Sequence, residues 1–251
     1  DRIESQILTH YPRSIEIARE ITRQEAKLPE VQKTQIHMPE LLEIVLEQIA
    51  FEARGSEFID EKSGVSARLS IAGYENLMST AERRMLINGE SKTTVRITDL
   101  WGVIPAITGK VELVYEGEQE GPYNVAIYLM STAIKSQFLN YFPDPDQLKK
   151  GQEKDPYGTI RAWFSGGNSV QLLNDASDET YANALREVAG LERLVKKLDI
   201  PESDRNLYME LALHGLAEFN VINKDFVDSN FSFRDLLADM LDDDLFDDFD
   251  D

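Results

Sequence analysis

Lys62-Ser63-Gly64-Val65-Ser66-Ala67-Arg68-Leu69-Ser70 runs without a break into Ile71-Ala72-Gly73-Tyr74-Glu75-Asn76-Leu77-Met78-Ser79-Thr80-Ala81-Glu82-Arg83-Arg84-Met85-Leu86-Ile87-Asn88. Leu69, Tyr74, Leu77, Met78, Ala81 and Met85 recur at three- and four-residue spacing, which puts them on one face of a helix. Ser63 is the expected N-cap, because its hydroxyl can accept from an unpaired amide of the first turn. Arg68 then falls in the first turns, where a cation opposes the helix dipole. Such an arginine is either a solvated surface residue or a group placed there for an anion such as a phosphate.

Working outward toward the N-terminus, Ile3, Ile7 and Leu8 have helical spacing, and Pro12 suits the first position of a new helix over 12–27. Ile15, Ala18, Ile21 and Thr22 are its expected inward residues, and Leu28-Pro29 ends it. A polar connector, 30–37, leads to a helix from Pro39 through Leu41, Leu42, Val45, Leu46, Ile49 and Ala50, stopped by Gly55. Its apolar face is wide, so burial on more than one side is expected.

Beyond Asn88, a turn at Asn88-Gly89-Glu90 precedes a short extended run over 93–97. Helices are predicted over 99–107 and 123–142, with a weaker one within 109–120. The first 142 residues therefore read as an all-helical bundle. Residues 143–156 are polar and proline-flanked and read as a linker. A second, smaller and mostly helical domain is expected over 157–240. Its helices are predicted at 178–198, capped by Ser177, at 202–219, and at 231–241. Residues 241–251 form an acidic tail.

The chain has 251 residues, no cysteine and a formal net charge of −20. An apolar content of 42% with 29% charged residues fits a soluble globular protein. No apolar run is long enough to span a bilayer, and no secretory signal pattern is present. The missing cysteines exclude a disulfide framework and suit a reducing, cytoplasmic setting. The negative excess argues against nucleic-acid and membrane-surface partners. Much of it is local, since residues 235–251 hold nine aspartates and no cation. In that tail Leu237, Leu241, Leu245 and Phe249 are four apart. The tail is expected to be disordered when free, and it is either a docking peptide or a solubiliser.

The familiar catalytic patterns are missing. Gly109-Lys110 lacks both the spacing and the hydroxyl residue of a phosphate loop, and Phe58-Ile59-Asp60-Glu61 has too short an apolar run for a Walker B strand. His10, His37 and His214 are far apart in sequence, with no companion at ligand spacing, so a metal site is not expected. No Gly-x-Ser-x-Gly elbow occurs.

Two stretches carry a resemblance: Asp1-Arg2-Ile3-Glu4-Ser5-Gln6-Ile7-Leu8-Thr9-His10-Tyr11-Pro12-Arg13, and Ser63-Gly64-Val65-Ser66-Ala67-Arg68. They resemble the region after the ATPase core in magnesium-chelatase ATPase-subunit-like proteins of the MoxR branch of AAA+ ATPases. In that family an Asp-Arg pair closes the nucleotide-binding domain, and a helical lid carries a Ser-Gly-(Val or Ala)-Ser-x-Arg signature. The resemblance covers residues 1–142, and more loosely 157–240. It implies that Arg2 is an arginine finger reaching a neighbouring subunit's nucleotide. It implies that Arg68 is a sensor-2 arginine on the subunit's own γ-phosphate, with Ser63 and Gly64 beside it. A guanidinium is always charged and forks onto phosphate oxygens, which suits both roles. The implied setting is an ATPase core in the same protein that binds ATP and Mg2+, in a homo-oligomeric ring, a hexamer. A partner with a von Willebrand factor A-type domain is common in the family. This chain alone lacks Walker A and Walker B, so no cofactor and no activity are expected of it by itself, and a C-terminal fragment of a longer ATPase is the expected origin. The alternative is a non-catalytic interaction module that docks a partner through its acidic tail.

Overall fold

The computed structural model describes residues 5, 7–61, 64–148, 155–227 and 230–236. Arg2, Ser63, residues 149–154 of the predicted linker and the tail at 241–251 lie outside the described residues. The chain is mostly helical, roughly as the all-α expectation has it, and two small β-sheets accompany the helices among the described residues.

Helix α1 (Ile15–Glu25) starts after Ser14, whose side chain accepts from the Ile17 amide. The cap is therefore Ser14, and Pro12 lies outside the helix. Ala18 and Thr22 are buried, whereas Ile21 is exposed. The predicted connector holds a short helix, α2 (Glu30–Gln35), and strand β1 (Ile36–His37). Helix α3 (Glu40–Gly55) is the buried axis. Leu41, Leu42, Val45, Leu46, Ile49 and Ala50 are all buried, and α3 packs against α1, α4 (Leu69–Ile87) and α7 (Pro122–Tyr141). Two acids on α3 are also buried and tie its neighbours down. Glu43 accepts from Arg19 at 2.8 Å and from Arg23 at 2.7 Å. Glu47 accepts from Thr22 of α1 at 2.5 Å and from Ser70 of α4 at 2.7 Å.

Strand β2 (Thr93–Thr94) pairs in parallel with β1. A 3-10 turn (Thr98–Val103), α5 (Ile104–Thr108) and α6 (Tyr115–Glu120) lead into α7. After α8 (Gly158–Ser165) and β3 (Val170–Leu173), the helix predicted over 178–198 is broken in two. Helix α9 (Asp178–Glu187) ends before Gly190, which takes a left-handed φ of +91°, and α10 (Leu191–Val195) follows. A residue with a side chain is strained at that φ, so the break is built into the glycine.

Helix α11 (Arg205–Glu218) then leads to β4 (Asn223–Val227) and β5 (Asn230–Arg234). The helix predicted from Phe231 is thus a strand over its described part. The sheet order is β3-β5-β4, antiparallel throughout. Asn230-Phe231-Ser232-Phe233-Arg234 alternates, and Phe231 and Phe233 face the core.

The two segments predicted as separate domains share one hydrophobic core. Helix α7 packs on α11, and a Cβ at Gly215 would lie 2.1 Å from the Phe138 ring. Arg84 bridges Asp99 of the first segment and Asp178 of the second. No helix among the described residues is long and apolar enough to cross a membrane.

Candidate functional site

The segment leading into α4 is extended, not helical. Val65 forms an antiparallel bridge with Val111, and Ile59 with Leu113. Gly64 is buried in this frame. Its amide donates to the Asp60 carbonyl at 2.9 Å, and its carbonyl accepts from the Glu112 amide at 2.8 Å. A Cβ on Gly64 would sit 2.1 Å from the Asp60 carbonyl oxygen. Glycine is therefore required by close packing there, and both backbone groups of Gly64 are spent inside the fold.

The helix begins at Leu69, five residues later than the Ser63 cap predicts. Ser66 takes over the turn: its hydroxyl accepts from the Arg68 amide at 3.3 Å, and its carbonyl accepts from the Leu69 amide at 3.0 Å. Arg68 thus stands just before the first turn, at the cap position, rather than inside the helix. It is exposed, and its guanidinium has no hydrogen bond or ion pair among the described residues. No side chain caps the first amides of α4.

Tyr11 and Val65, one from each stretch that carries the family resemblance, meet in space. The Tyr11 hydroxyl donates to the Val65 carbonyl across 54 residues of chain. The Arg54 guanidinium lies 4.3 Å from the centre of the Tyr11 ring and 4.9 Å from that of Phe51. Burial lowers the Arg54 pKa, with the Tyr11 and Glu47 charges opposing that shift. Arg54 Nε has no hydrogen-bond partner, and Arg54 forms no ion pair among the described residues. Of these residues, sequence reasoning picked out Arg68 and Gly64 and quoted Tyr11 without a role. It missed Arg54, which looks like one more surface cation at the end of α3.

A second cationic region lies elsewhere. A cavity of about 600 Å³ is lined by Lys33, His37, Lys92, Thr93, Thr94 and Asp178, among others. Behind it, Arg84 donates to Asp178 at 3.0 Å and to Asp99 at 2.9 Å, and Arg96 also pairs with Asp178. Burial opposes the charge of Arg84, but Asp99 and Asp178 outweigh it and its pKa is raised. Both arginines are thus committed to carboxylates. Arg68 and Arg84 are separated by about 24 Å of helix axis at ordinary helical rise, so this cavity and the Arg68 corner are separate places. Among the described residues, no group of three or more His, Cys, Asp or Glu side chains is arranged to hold a metal ion. Comparison with protein-family models, with curated proteins and with solved structures finds no match for this chain.

Proposed function

We propose that this chain is the lid and following region of a ring-forming AAA+ ATPase of the magnesium-chelatase-like, MoxR branch. In this reading the parent protein couples ATP hydrolysis to remodelling of a partner or to chelatase-like metal insertion. The observation that carries the reading is the Tyr11–Val65 hydrogen bond, which joins one residue from each of the two resembling stretches. The exposed guanidinium of Arg68, which has no carboxylate partner among the described residues, supports it as well.

The roles follow from charge and position. The buried Gly64 frame sets the path of the signature, so Arg68 emerges at the mouth of a long helix. From there a fixed cation can fork onto the γ-phosphate of a nucleotide held by the ATPase core of the same protein. Arg2 would serve the neighbouring subunit's nucleotide in the ring, a hexamer in this reading. When bound, ATP with its Mg2+ supplies the phosphoryl group, and this chain contributes positive charge that favours its transfer. The alternative, an interaction module acting through the acidic tail at 241–251, rests on residues outside those described.

The test is Arg68→Ala in the protein that includes the ATPase core. ATP turnover should fall by at least about tenfold, as expected for loss of a phosphate-facing arginine. The melting temperature should change little, because the Arg68 side chain makes no hydrogen bond or ion pair among the described residues. Unchanged turnover would remove Arg68 from the reaction and sink the reading.

A further inference from the structure

A cavity of about 340 Å³ opens between α7, α11 and the β4–β5 pair. Its walls include Trp101, Met130, Ile134, Phe226, Phe231 and His214. Trp101 stacks on Phe226, with ring centres 3.6 Å apart, and meets Phe231 edge-on at 6.0 Å. These walls come from both halves of the chain. The volume lies within the range of small-molecule sites, about 300–1,000 Å³.

His214 sets this cavity apart from a packing defect. Its side chain is 1% exposed, and among the described residues neither ring nitrogen has a hydrogen-bond partner. The Glu210 carboxylate is 3.9 Å away, beyond hydrogen-bond reach. That carboxylate is already occupied by the amides of Ile97 and Thr98 and by the Tyr181 hydroxyl. Phe231 and Phe233 pack edge-on to the imidazole at 4.7 and 5.1 Å, so no donor or acceptor comes from that side. Burial holds the ring neutral, and Lys224 pushes in the same direction. A neutral imidazole offers one N–H donor and one bare nitrogen acceptor. Buried polar groups are nearly always paired, so an unpaired one lining a cavity points to a ligand group.

The two charged residues that line the cavity, Lys224 and Glu218, pair with each other. Lys135, whose ammonium donates to the Glu218 backbone carbonyl at 3.2 Å, is not part of the lining. The cavity therefore favours an occupant without net charge. We propose that it binds a small, uncharged aromatic molecule carrying one hydroxyl group, with the ring against the Trp101–Phe226 stack and the hydroxyl hydrogen-bonded to His214. A hydroxyl can donate or accept, so it serves whichever imidazole nitrogen faces the cavity. The site is independent of the Arg68 corner and stands whether or not the chain belongs to an ATPase.

The experiment is calorimetric titration of this chain with 1-naphthol and, separately, with naphthalene. For a ligand of about eleven non-hydrogen atoms at ordinary efficiency, 1-naphthol should bind saturably at one site with a Kd on the order of 0.1 mM. Naphthalene at the same concentration should reach less than about a tenth of saturation, because it leaves His214 unpaired. His214→Phe should abolish the preference for 1-naphthol. Should that variant fail to fold, Ser131→Trp provides the second arm. Ser131 lines the cavity and is only half-buried on α7, so tryptophan there fills the space and should remove binding. Equal binding of the two probes, no saturable binding, or full binding by Ser131→Trp would each overturn the proposal.

Discussion

Glu210 sits at the centre of the molecule with no exposed surface. Its carboxylate accepts from the amides of Ile97 and Thr98, each at 2.9 Å, and from the Tyr181 hydroxyl at 2.7 Å. Burial nevertheless dominates, and its pKa is pushed up to about 7. The folded state thus holds this proton more tightly than the unfolded chain does. The resulting stability is fully present below the ordinary carboxylate range, near pH 4.5, and is lost as pH rises through about 7. Glu210→Gln removes that titration. The stability of the native sequence relative to the Gln variant should therefore fall by roughly 3 kcal/mol between pH 4.5 and pH 7.5, from the size of the shift. Urea unfolding of both proteins at the two pH values measures it, and a difference independent of pH would refute it. Gly64 makes a companion case. Gly64→Ala puts a methyl group 2.1 Å from the Asp60 carbonyl oxygen and 2.6 Å from Ile59 Cγ2, both in a buried frame. The backbone must shift, so a loss of at least about 2 kcal/mol is expected by the same denaturation assay.

At the scale of elements, the break between α9 and α10 separates what composition predicts from what packing allows. The helical pattern over 178–198 continues past Val188, but Gly190 takes a left-handed φ of +91°. A Cβ there would also lie 2.8 Å from Thr159 Cβ. Gly190→Ala combines conformational strain with a clash against α8, and should cost roughly 2–3 kcal/mol, read as a lower urea midpoint at an unchanged slope. A neutral or stabilising effect would mean that α9 and α10 can merge. The long helices α3, α4 and α7 were legible in the sequence because each carries an apolar face over several turns. The start of α4 was not. Its signature segment is held extended by Lys110 and Glu112, more than forty residues away, and no local pattern announces that pairing. The sheet was missed for a related reason. Phe231 and Phe233 alternate over only five residues, and the Leu-rich run that follows looks helical. For the candidate site, Arg68 could be read from its neighbours in sequence. The roles of Tyr11, Arg54 and His214 depend on partners far along the chain and needed the fold.

Across the whole molecule, the linkage between the two halves is ionic as well as apolar. Arg84, 1% exposed, donates to Asp99 at 2.9 Å, to Thr93 at 2.8 Å, to the Thr94 carbonyl at 2.9 Å and to Asp178 at 3.0 Å. Arg96 joins it on Asp178 and lies 4.1 Å from the centre of the Tyr181 ring. These contacts, the packing of α7 on α11 and the shared core make the two halves one cooperative unit. Calorimetry should therefore show a single transition, with calorimetric and van't Hoff enthalpies in agreement. Arg84→Met leaves the 1% exposed Asp99 without its cation, so a loss of about 3–5 kcal/mol is expected. For a chain of this length that lowers the melting temperature by roughly 10 °C. The double variant Arg84→Met, Asp99→Leu should regain part of the loss, since it buries no lone charge. Two separable transitions in the native protein, with Arg84→Met moving only one, would instead mean that the halves fold independently and that the ionic bridge only rests one against the other.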